Sequence, residues 1–290
     1  MAVVVITGTS TGLGLQTALA LSRHGDRVYA TMRNLDRAGP LREAAEAEGL
    51  DVTLTALDVD DPASVTSAIG DITAEAGQID VLVNNAGLGD IGALESFSET
   101  RAYEMFETNF FGPLRTMQAV LPAMRERRSG TIVNISSGSG LIAGPTQGIY
   151  GATKHALEAA SEALAIEVRP FGIRVVIIEP GFFSTPIIEK AIASMPPGGP
   201  YADVERRIGT LYAGASEAGG DPRVAATAIV AALDDPVPKL RYLVGADAEA
   251  FVAGRARLTD EEWIELFGRE RSDEDFFAAF AAAFPPEEGA

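Results

Sequence analysis

The chain has 290 residues, 47% of them hydrophobic, which is enough for one large domain with a filled core. Its 41 acidic and 23 basic residues give a formal net charge of -18, which disfavours binding to nucleic-acid phosphates and anionic membranes. The absence of cysteine excludes disulfides, a thiolate nucleophile and cysteine-bound zinc. With no signal-peptide pattern and no long apolar run, we expect a cytoplasmic protein that binds a small molecule and no metal.

Apolar runs and amphipathic segments alternate along most of the chain. Short β-branched runs predict strands at residues 2–7, 27–32, 52–57, 80–84, 130–135, 173–179 and 240–245. Helical spacing predicts helices at residues 13–24, 41–48, 62–76, 100–127, 149–168 and 224–233. This order predicts an α/β fold, with a single doubly wound parallel sheet of Rossmann type and helices on both faces.

Two later segments depart from that alternation. Between Pro186 and Pro222 the apolar pattern loosens, and the runs at 196–200 and 214–220 predict irregular, mobile backbone of the kind found in a substrate lid. Residues 246–290 form an acidic extension. We therefore expect a dinucleotide-binding and catalytic domain over residues 1–245, with a lid at 186–222, followed by a short helical C-terminal extension.

The extension contains two capping patterns and a series of aromatic residues. The patterns at Thr259–Glu262 and Ser272–Asp275 predict the starts of two helices. The aromatic side chains recur at helical spacing, at Phe276, Phe277, Phe280 and Phe284. Together with Trp263, we expect them to pack on the core or on a second subunit rather than to enter a membrane.

A glycine-rich turn follows the first predicted strand. Gly8, Gly12 and Gly14 would let phosphates approach the backbone, where the next helix offers free N–H groups and the positive end of its dipole. The spacing is Gly-x-x-x-Gly-x-Gly rather than the commoner Gly-x-Gly-x-x-Gly. The turn predicts a dinucleotide site, although glycine turns of this kind also occur without a ligand.

Tyr150 and Lys154 are four residues apart on a predicted helix, so their side chains share one face. A phenol with a pKa of about 10 is a weak base at neutral pH, but a neighbouring ammonium favours the phenolate. The pair is then suited to exchange a proton with an alcohol or carbonyl oxygen. On spacing alone, however, a tyrosine and a lysine four residues apart are more often an ordinary surface pair.

Further short signatures accompany these two motifs in a fixed order. They are Asp58-Val59, Asn84-Asn85-Ala86-Gly87, Asn109, Ser136-Ser137, Tyr150-Gly151-Ala152-Thr153-Lys154, and Pro180-Gly181 with Thr185. In this order and spacing the chain resembles the short-chain dehydrogenase/reductase family, in its compact branch, over residues 2–245. The resemblance implies an oxidoreductase that transfers a hydride between a nicotinamide cofactor and a carbonyl or secondary alcohol.

The resemblance also implies roles for individual residues. Tyr150 is the general acid/base, and Ser137 hydrogen-bonds the substrate oxygen, with Ser136 as a structural neighbour. Lys154 binds the nicotinamide ribose and lowers the Tyr150 pKa, while Asn109 holds open a helix kink and anchors a water that links Lys154 to solvent. Implied cofactor contacts are Gly8, Ser10, Thr11, Gly12, Leu13, Gly14, Asp58, Val59, Asn85, Ala86, Gly87, Tyr150, Lys154, Pro180, Gly181 and, at the nicotinamide carboxamide, Thr185.

The end of the second strand bears on the choice of cofactor. Family members that prefer NAD carry an acidic residue there to hold the ribose 2′-hydroxyl, and the corresponding residue here is Met32. The next residue, Arg33, is able to pair with a 2′-phosphate, and Ser10 and Thr11 would add hydroxyl donors. The sequence favours NADP(H) over NAD(H). The alternative is that Arg33 is only a solvated surface residue.

Other functions on the same fold also have to be considered. A non-enzymatic dinucleotide sensor is one, although such proteins usually lose the tyrosine or the lysine, and an NAD-dependent alcohol dehydrogenase is another. Epimerases and dehydratases among longer relatives use a different glycine spacing and a larger C-terminal domain. Since the two long helices commonly pair in this family, we expect a homodimer or homotetramer.

The substrate is indicated only by similarity within the family. Residues 28–33 and 241–245 are similar to those of hydroxysteroid and retinol dehydrogenases, which act on bulky apolar alcohols and ketones. Apolar residues near the expected pocket suit such a substrate, although core packing would require the same residue types. These residues are Leu141, Ile142, Phe182, Phe183, Ile187 and Ile188.

Overall fold

A computed structural model of the chain describes residues 1–193, 199–217 and 219–284. The strands in these parts are β1 (Val3–Thr7), β2 (Arg27–Met32), β3 (Val52–Ala56), β4 (Val81–Asn84), β5 (Gly130–Ile135), β6 (Ile173–Pro180) and β7 (Arg241–Val244). They form one parallel sheet in the order β3-β2-β1-β4-β5-β6-β7. The strand order reverses between β1 and β4, which opens a crevice at the carboxyl ends of the strands. The predicted fold class is confirmed.

Helices cover both faces of the sheet. Before β7 they are α1 (Gly12–Arg23), α2 (Gly39–Glu48), α3 (Pro62–Ala76), α4 (Glu99–Phe106), α5 (Gly112–Arg127), α6 (Gly148–Val168), α7 (Pro186–Ala193), α8 (Ala202–Glu217) and α9 (Pro222–Asp234). Along β1, Val4 and Ile6 belong to the core that also contains residues of α1 and α9. Val3 and Val5 belong to the core under α3 and α5. Because both faces are buried, this strand is an uninterrupted apolar run.

The predicted helix 100–127 contains an irregular turn. It begins as α4, widens into a single π-helical turn at Glu107–Phe111 and continues as α5. A π-helical turn inserts an extra residue into the helix and often lies at a functional site. Asn109 lies in the middle of this turn, where the family resemblance implies a kink.

The expectation of irregular backbone at residues 214–220 is wrong for residues 214–217. Residues 186–193 form α7, and α8 continues through Gly214 to Glu217. Glu205 of α8 is buried and accepts a hydrogen bond of 3.1 Å from the Ala93 backbone N–H. Such tertiary contacts outweigh the cost of about 1 kcal/mol for a glycine within a helix. Residues 194–198, with most of the Pro-Pro-Gly-Gly-Pro run, lie outside the described residues.

The C-terminal extension contains three described helices rather than the two predicted. They are α10 (Ala246–Arg257), α11 (Asp260–Gly268) and α12 (Asp273–Ala283). α11 and α12 begin at the predicted caps, where Thr259 and Ser272 each accept a hydrogen bond of 3.1 Å from the residue three positions later. α10 escaped prediction because its start has no capping pattern. Across the described residues, no helix is long and apolar enough to cross a membrane.

Candidate active site

A cleft of about 1370 Å³ opens at the carboxyl edge of the sheet. Its lining contains every residue predicted to contact the cofactor, from the glycine turn to Thr185. It also contains three of the four catalytic candidates, Ser137, Tyr150 and Lys154. The structure therefore brings together motifs that are separated by up to about two thirds of the sequence.

The glycine turn is tied to the end of β4. Thr7 Oγ1 accepts hydrogen bonds of 3.0 Å from the backbone N–H groups of Asn85 and Ala86. The Asn85 side chain donates to the carbonyl oxygens of Thr7 and Gly8 at 2.8 and 3.0 Å. A Cβ atom on Gly14 would lie 2.3 Å from Asn85 Nδ2, so this position requires glycine. Asn85 therefore fixes the shape of the turn.

The first turn of α1 is suited to an anionic ligand. Its N-cap residue, Thr11, makes no side-chain capping hydrogen bond, and the turn contains no acidic residue. The free N–H groups and the helix dipole are thus available to a pyrophosphate. Gly12 has φ of +60°, and a Cβ there would lie 3.4 Å from Thr185 across the cleft. The residues present fit a bound dinucleotide.

Ser137, Tyr150 and Lys154 meet in the middle of the cleft. Ser137 follows β5, while Tyr150 and Lys154 occupy successive turns of α6. Lys154 Nζ lies 5.8 Å from the centroid of the Tyr150 ring and donates a hydrogen bond of 2.9 Å to the Ile135 carbonyl oxygen. Lys154 is only 6% exposed. The tyrosine and the ammonium therefore face the same small volume.

The ionisation of these groups is governed by burial. Burial raises the pKa of Tyr150, and the neighbouring Ser137 hydroxyl opposes this rise. The direction is opposite to the lowering expected from Lys154, because loss of solvent outweighs the effect of nearby polar groups. Burial also lowers the pKa of Lys154 to about 8, and the negative charge of Glu158 works against that lowering.

Asn109 lies behind the cleft rather than in its wall. Its side-chain oxygen accepts a hydrogen bond of 2.7 Å from the Leu88 N–H, and its amide nitrogen donates to Leu88 O at 2.9 Å and to Thr153 Oγ1 at 3.0 Å. The side chain therefore joins the loop after β4 to α6. Its water-anchoring role stays a prediction. Ser136 is also buried and lines the cleft, and its backbone N–H donates to Ile178 O at 2.7 Å; its structural role likewise stays a prediction.

The end of β2 shows a clear contrast between adjacent residues. Met32 is 3% exposed, whereas the side chain of Arg33 is 71% exposed and lines the cleft. Arg33 Nε lies 4.0 Å from Asp58 Oδ2, which is too long for a hydrogen bond. Arg37 lines the same end of the cleft but is not among the cofactor contacts predicted from the sequence. Arg37 lies in a short turn after β2, where no periodic pattern of apolar residues indicates which side chains face the cleft.

Aromatic residues of the C-terminal extension form the other end of the cleft. The lining residues there are Phe251, Phe267, Phe280 and Phe284. Their rings also contact one another and Trp263, whose indole N–H donates to Ala143 O at 3.1 Å. The expected packing of the aromatic series within the core of the protein is thus present, but its role as a cleft wall was missed.

The apolar residues expected near the pocket divide into two groups. Phe182, Phe183, Ile187 and Ile188 line the cleft. Leu141 and Ile142 do not: Leu141 is exposed and Ile142 is packed in the interior. Because neither residue lines the cleft, their assignment to the pocket is wrong.

Comparison with known proteins identifies the family. The profile described as short chain dehydrogenase matches residues 2–195. The chain belongs to the short-chain dehydrogenase/reductase family. The predicted class, an oxidoreductase that acts on CH–OH or carbonyl groups with a nicotinamide dinucleotide, is confirmed at the level of the family. Solved structures of this fold have been obtained with NADP and with NAD.

Two relatives and one structure illustrate the similarity. A 3-ketodihydrosphingosine reductase of Bacteroides thetaiotaomicron is 44% identical over 184 residues, which cover 63% of this chain and 64% of the relative, less than two thirds of its length. The 17-beta-hydroxysteroid dehydrogenase type 1 of Homo sapiens is 38% identical over 253 residues, covering 83% and 76%. The crystal structure of a short-chain dehydrogenase from Streptomyces avermitilis has a TM-score of 0.77 and 37% identity, covering 88% of this chain and 92% of that one.

Proposed function

We propose that this chain catalyses NADP(H)-dependent interconversion of a bulky apolar ketone and its secondary alcohol, with Tyr150 as the general acid/base. The observation that carries the proposal is the continuity of one cleft. It runs from the glycine turn past Ser137 and Tyr150 to the aromatic wall of the C-terminal extension. A carbonyl group that reaches Tyr150 would have its remaining atoms against apolar rings.

The three cleft residues divide the proton chemistry between them. In the reductive direction, the Tyr150 O–H gives its proton to the carbonyl oxygen, and Ser137 donates a hydrogen bond to the same oxygen as negative charge develops on it. The bound nicotinamide dinucleotide supplies the hydride in this direction and accepts it in the other. The Lys154 ammonium then stabilises the Tyr150 phenolate until the proton is replaced. In the oxidative direction, the phenolate removes the alcohol proton.

The charge at the end of β2 supports NADP(H). The buried methyl group of Met32 offers no acceptor for a ribose 2′-hydroxyl, and Arg33 and Arg37 place two guanidinium groups at this end of the cleft. The Asp58 carboxylate lies 4.0 Å from Arg33 Nε, and this separation leaves the guanidinium free to turn toward a phosphate.

The substrate class is supported by the wall of the cleft and by the names of both relatives, which specify a ketodihydrosphingosine and a hydroxysteroid. The test is a panel of ketones and secondary alcohols of increasing apolar size, assayed with NADP(H) and NAD(H) through nicotinamide absorbance. We expect kcat/KM to increase with apolar size and to be higher with NADP(H). Turnover confined to small polar substrates would contradict the proposal.

The exposed apolar residues of α6 and of the long helical segment from α4 through the π-helical turn to α5 support a homo-oligomer. Phe111, at the end of the π-helical turn, is 42% exposed, and Ile166 of α6 is 71% exposed. Pairing of these helices about a two-fold axis would bury both side chains. Light scattering at micromolar concentration should give at least the mass of a dimer, and a monomeric mass would contradict this assignment.

A further inference from the structure

Two buried glutamates lie behind the catalytic lysine. Glu158 of α6 is 5% exposed and Glu179 of β6 is 2% exposed. Arg241 of β7 is the cation that faces them, with Nε 3.0 Å from Glu158 Oε2 and 3.5 Å from Glu179 Oε1. The same guanidinium also donates to the exposed Glu162, at 2.6 Å. The Arg241 guanidinium therefore lies within ion-pair distance of three carboxyl groups.

Three oxygens of this cluster have no hydrogen-bond partner among the described residues. They are Glu158 Oε1, Glu179 Oε1 and Ser136 Oγ. Ser136 and Glu158 approach each other beside Gly140, where a Cβ would lie 2.5 Å from Ser136 Oγ and 3.1 Å from Glu158 Cγ. Burial and the charge of Glu158 raise the pKa of Glu179 to about 7.

Glu158 is also the charged group nearest to Lys154 along α6. The two residues are four positions apart, so both side chains lie on one buried face of the helix. Burial favours the neutral amine of Lys154, and the negative charge of Glu158 favours the ammonium. The ammonium is the form that the proposed proton chemistry requires.

We propose that Glu158 is a positioning residue that keeps Lys154 protonated, and that release of a proton from the neighbouring Glu179 strengthens this effect. The inference rests on the roles proposed above for Tyr150 and Lys154. When Glu179 loses its proton, two negative charges face Arg241 and Lys154 instead of one. Lys154 then holds its proton to a higher pH, so the active form of the site extends further into the alkaline range.

The test is the pH profile of kcat/KM for the wild type and two isosteric variants. Glu158→Gln removes the charge nearest to Lys154, and we expect the alkaline limb to move down by about one pH unit. Glu179→Gln holds the cluster at a single negative charge and should produce a smaller downward shift. Glu158→Asp, which keeps the charge, should restore most of the wild-type profile.

Glu162→Gln is the matched control. It contacts the same guanidinium from the same helix but is exposed, so its profile should match that of the wild type. Profiles of Glu158→Gln and Glu179→Gln that both coincide with the wild type would overturn the inference. If Glu158→Gln does not fold, Glu179→Gln alone tests the inference, because it replaces the Glu179 carboxyl group by a neutral amide of the same shape.

A second measurement separates this inference from the proposed function. NADPH affinity is measured by fluorescence across the same pH range for the wild type, Glu158→Gln and Lys154→Met. If Lys154→Met changes neither affinity nor turnover, the proposed function itself fails. If Lys154→Met is impaired while Glu158→Gln keeps the wild-type pH dependence of binding and turnover, only the role of Glu158 fails.

Discussion

The Asp247 carboxylate accepts a hydrogen bond of 2.6 Å from the backbone N–H of Phe182. Asp247 lies in the first turn of α10, and Phe182 lies in the loop after β6 that carries Thr185. A Cβ on Gly181 would lie 2.4 Å from the same carboxylate. The C-terminal extension is thus joined directly to the loop expected to contact the nicotinamide.

Replacement of Asp247 by alanine should loosen that loop. The hydrogen bond to a charged acceptor is worth about 1.5 kcal/mol, so we expect cofactor affinity to fall by about ten-fold with a smaller change in kcat. Glu249→Ala removes an exposed carboxylate from the same helix and is the control. Fluorescence titration with NADPH measures both. Equal affinities for the two variants would show that the loop is held by other contacts.

The local features of the site could be predicted from the sequence because neighbouring residues produce them. The glycine turn after β1 and the pair Tyr150 and Lys154 depend on one strand, one turn and one helix face. The aromatic wall depends instead on contacts across the fold. Gly254, for example, leaves space for the ring of Phe284, since a Cβ there would lie 2.3 Å from it. No periodic pattern encodes such a contact.

Helix α8 illustrates the same limit. Its glycine-containing sequence predicts loose backbone, yet Arg207 pairs with Asp273 of α12 at 2.9 Å, across 66 residues of sequence. Arg207 also lies over the ring of Phe276, at 5.3 Å from its centroid. Ion pairs and ring contacts of this range are set by the folded structure, so sequence periodicity gave the wrong backbone for this segment.

Tyr150→Phe should remove the transferable proton while preserving the packing of the ring. Because general acid/base catalysis contributes about 100- to 10,000-fold, we expect kcat to fall within that range with little change in cofactor affinity. Tyr103→Phe, at a tyrosine that is 68% exposed, is the control. Steady-state kinetics and cofactor titration measure the two effects. Turnover within a few-fold of the wild type would rule out the assigned role.

Glu179→Gln should change stability in a pH-dependent way. Glu179 has a pKa of about 7 in the folded protein, against 4.5 as its ordinary value. Between these values the folded state binds more protons than the unfolded state, so wild-type stability falls as pH rises from about 4.5 to 7. The glutamine variant lacks this loss.

We therefore expect Glu179→Gln to be more stable than the wild type at pH 8 by up to about 2 kcal/mol, and close to it at pH 5. Denaturant unfolding at the two pH values measures the free energies, with the exposed Glu249→Gln as control. The same difference at pH 5 and pH 8 would mean that Glu179 titrates normally in the folded protein.

Cofactor preference should follow the two residues at the end of β2. If Arg33 pairs with the 2′-phosphate, NADP(H) gains a contact worth about 1.5 to 3 kcal/mol, or about 10- to 150-fold in affinity. Met32→Asp with Arg33→Ser should reverse the preference, because the carboxylate accepts the ribose hydroxyls and repels the phosphate. Arg42→Ala is the surface control. Equal affinity of the wild type for both cofactors would mean that Arg33 is a solvated surface residue that makes no contact with the 2′-phosphate.

The aromatic wall should set the substrate size. Phe280 of α12 lines the cleft, whereas Phe277 of the same helix contacts Phe276 and is not part of the lining. Phe280→Ala removes apolar contact area from the far end of the cleft, so kcat/KM should fall by about ten-fold or more for a bulky apolar ketone. A small ketone that reaches Tyr150 without touching the wall should be reduced at an unchanged rate.

Phe277→Ala serves as the matched control, because it deletes the same ring from the same helix without changing the cleft. Any loss of activity that it causes should be equal for large and small substrates, since it would act through the packing of α12. The ratio of kcat/KM between the large and the small ketone is therefore the decisive quantity. A ratio that is the same in Phe280→Ala and Phe277→Ala would show that the substrate does not extend to the aromatic wall.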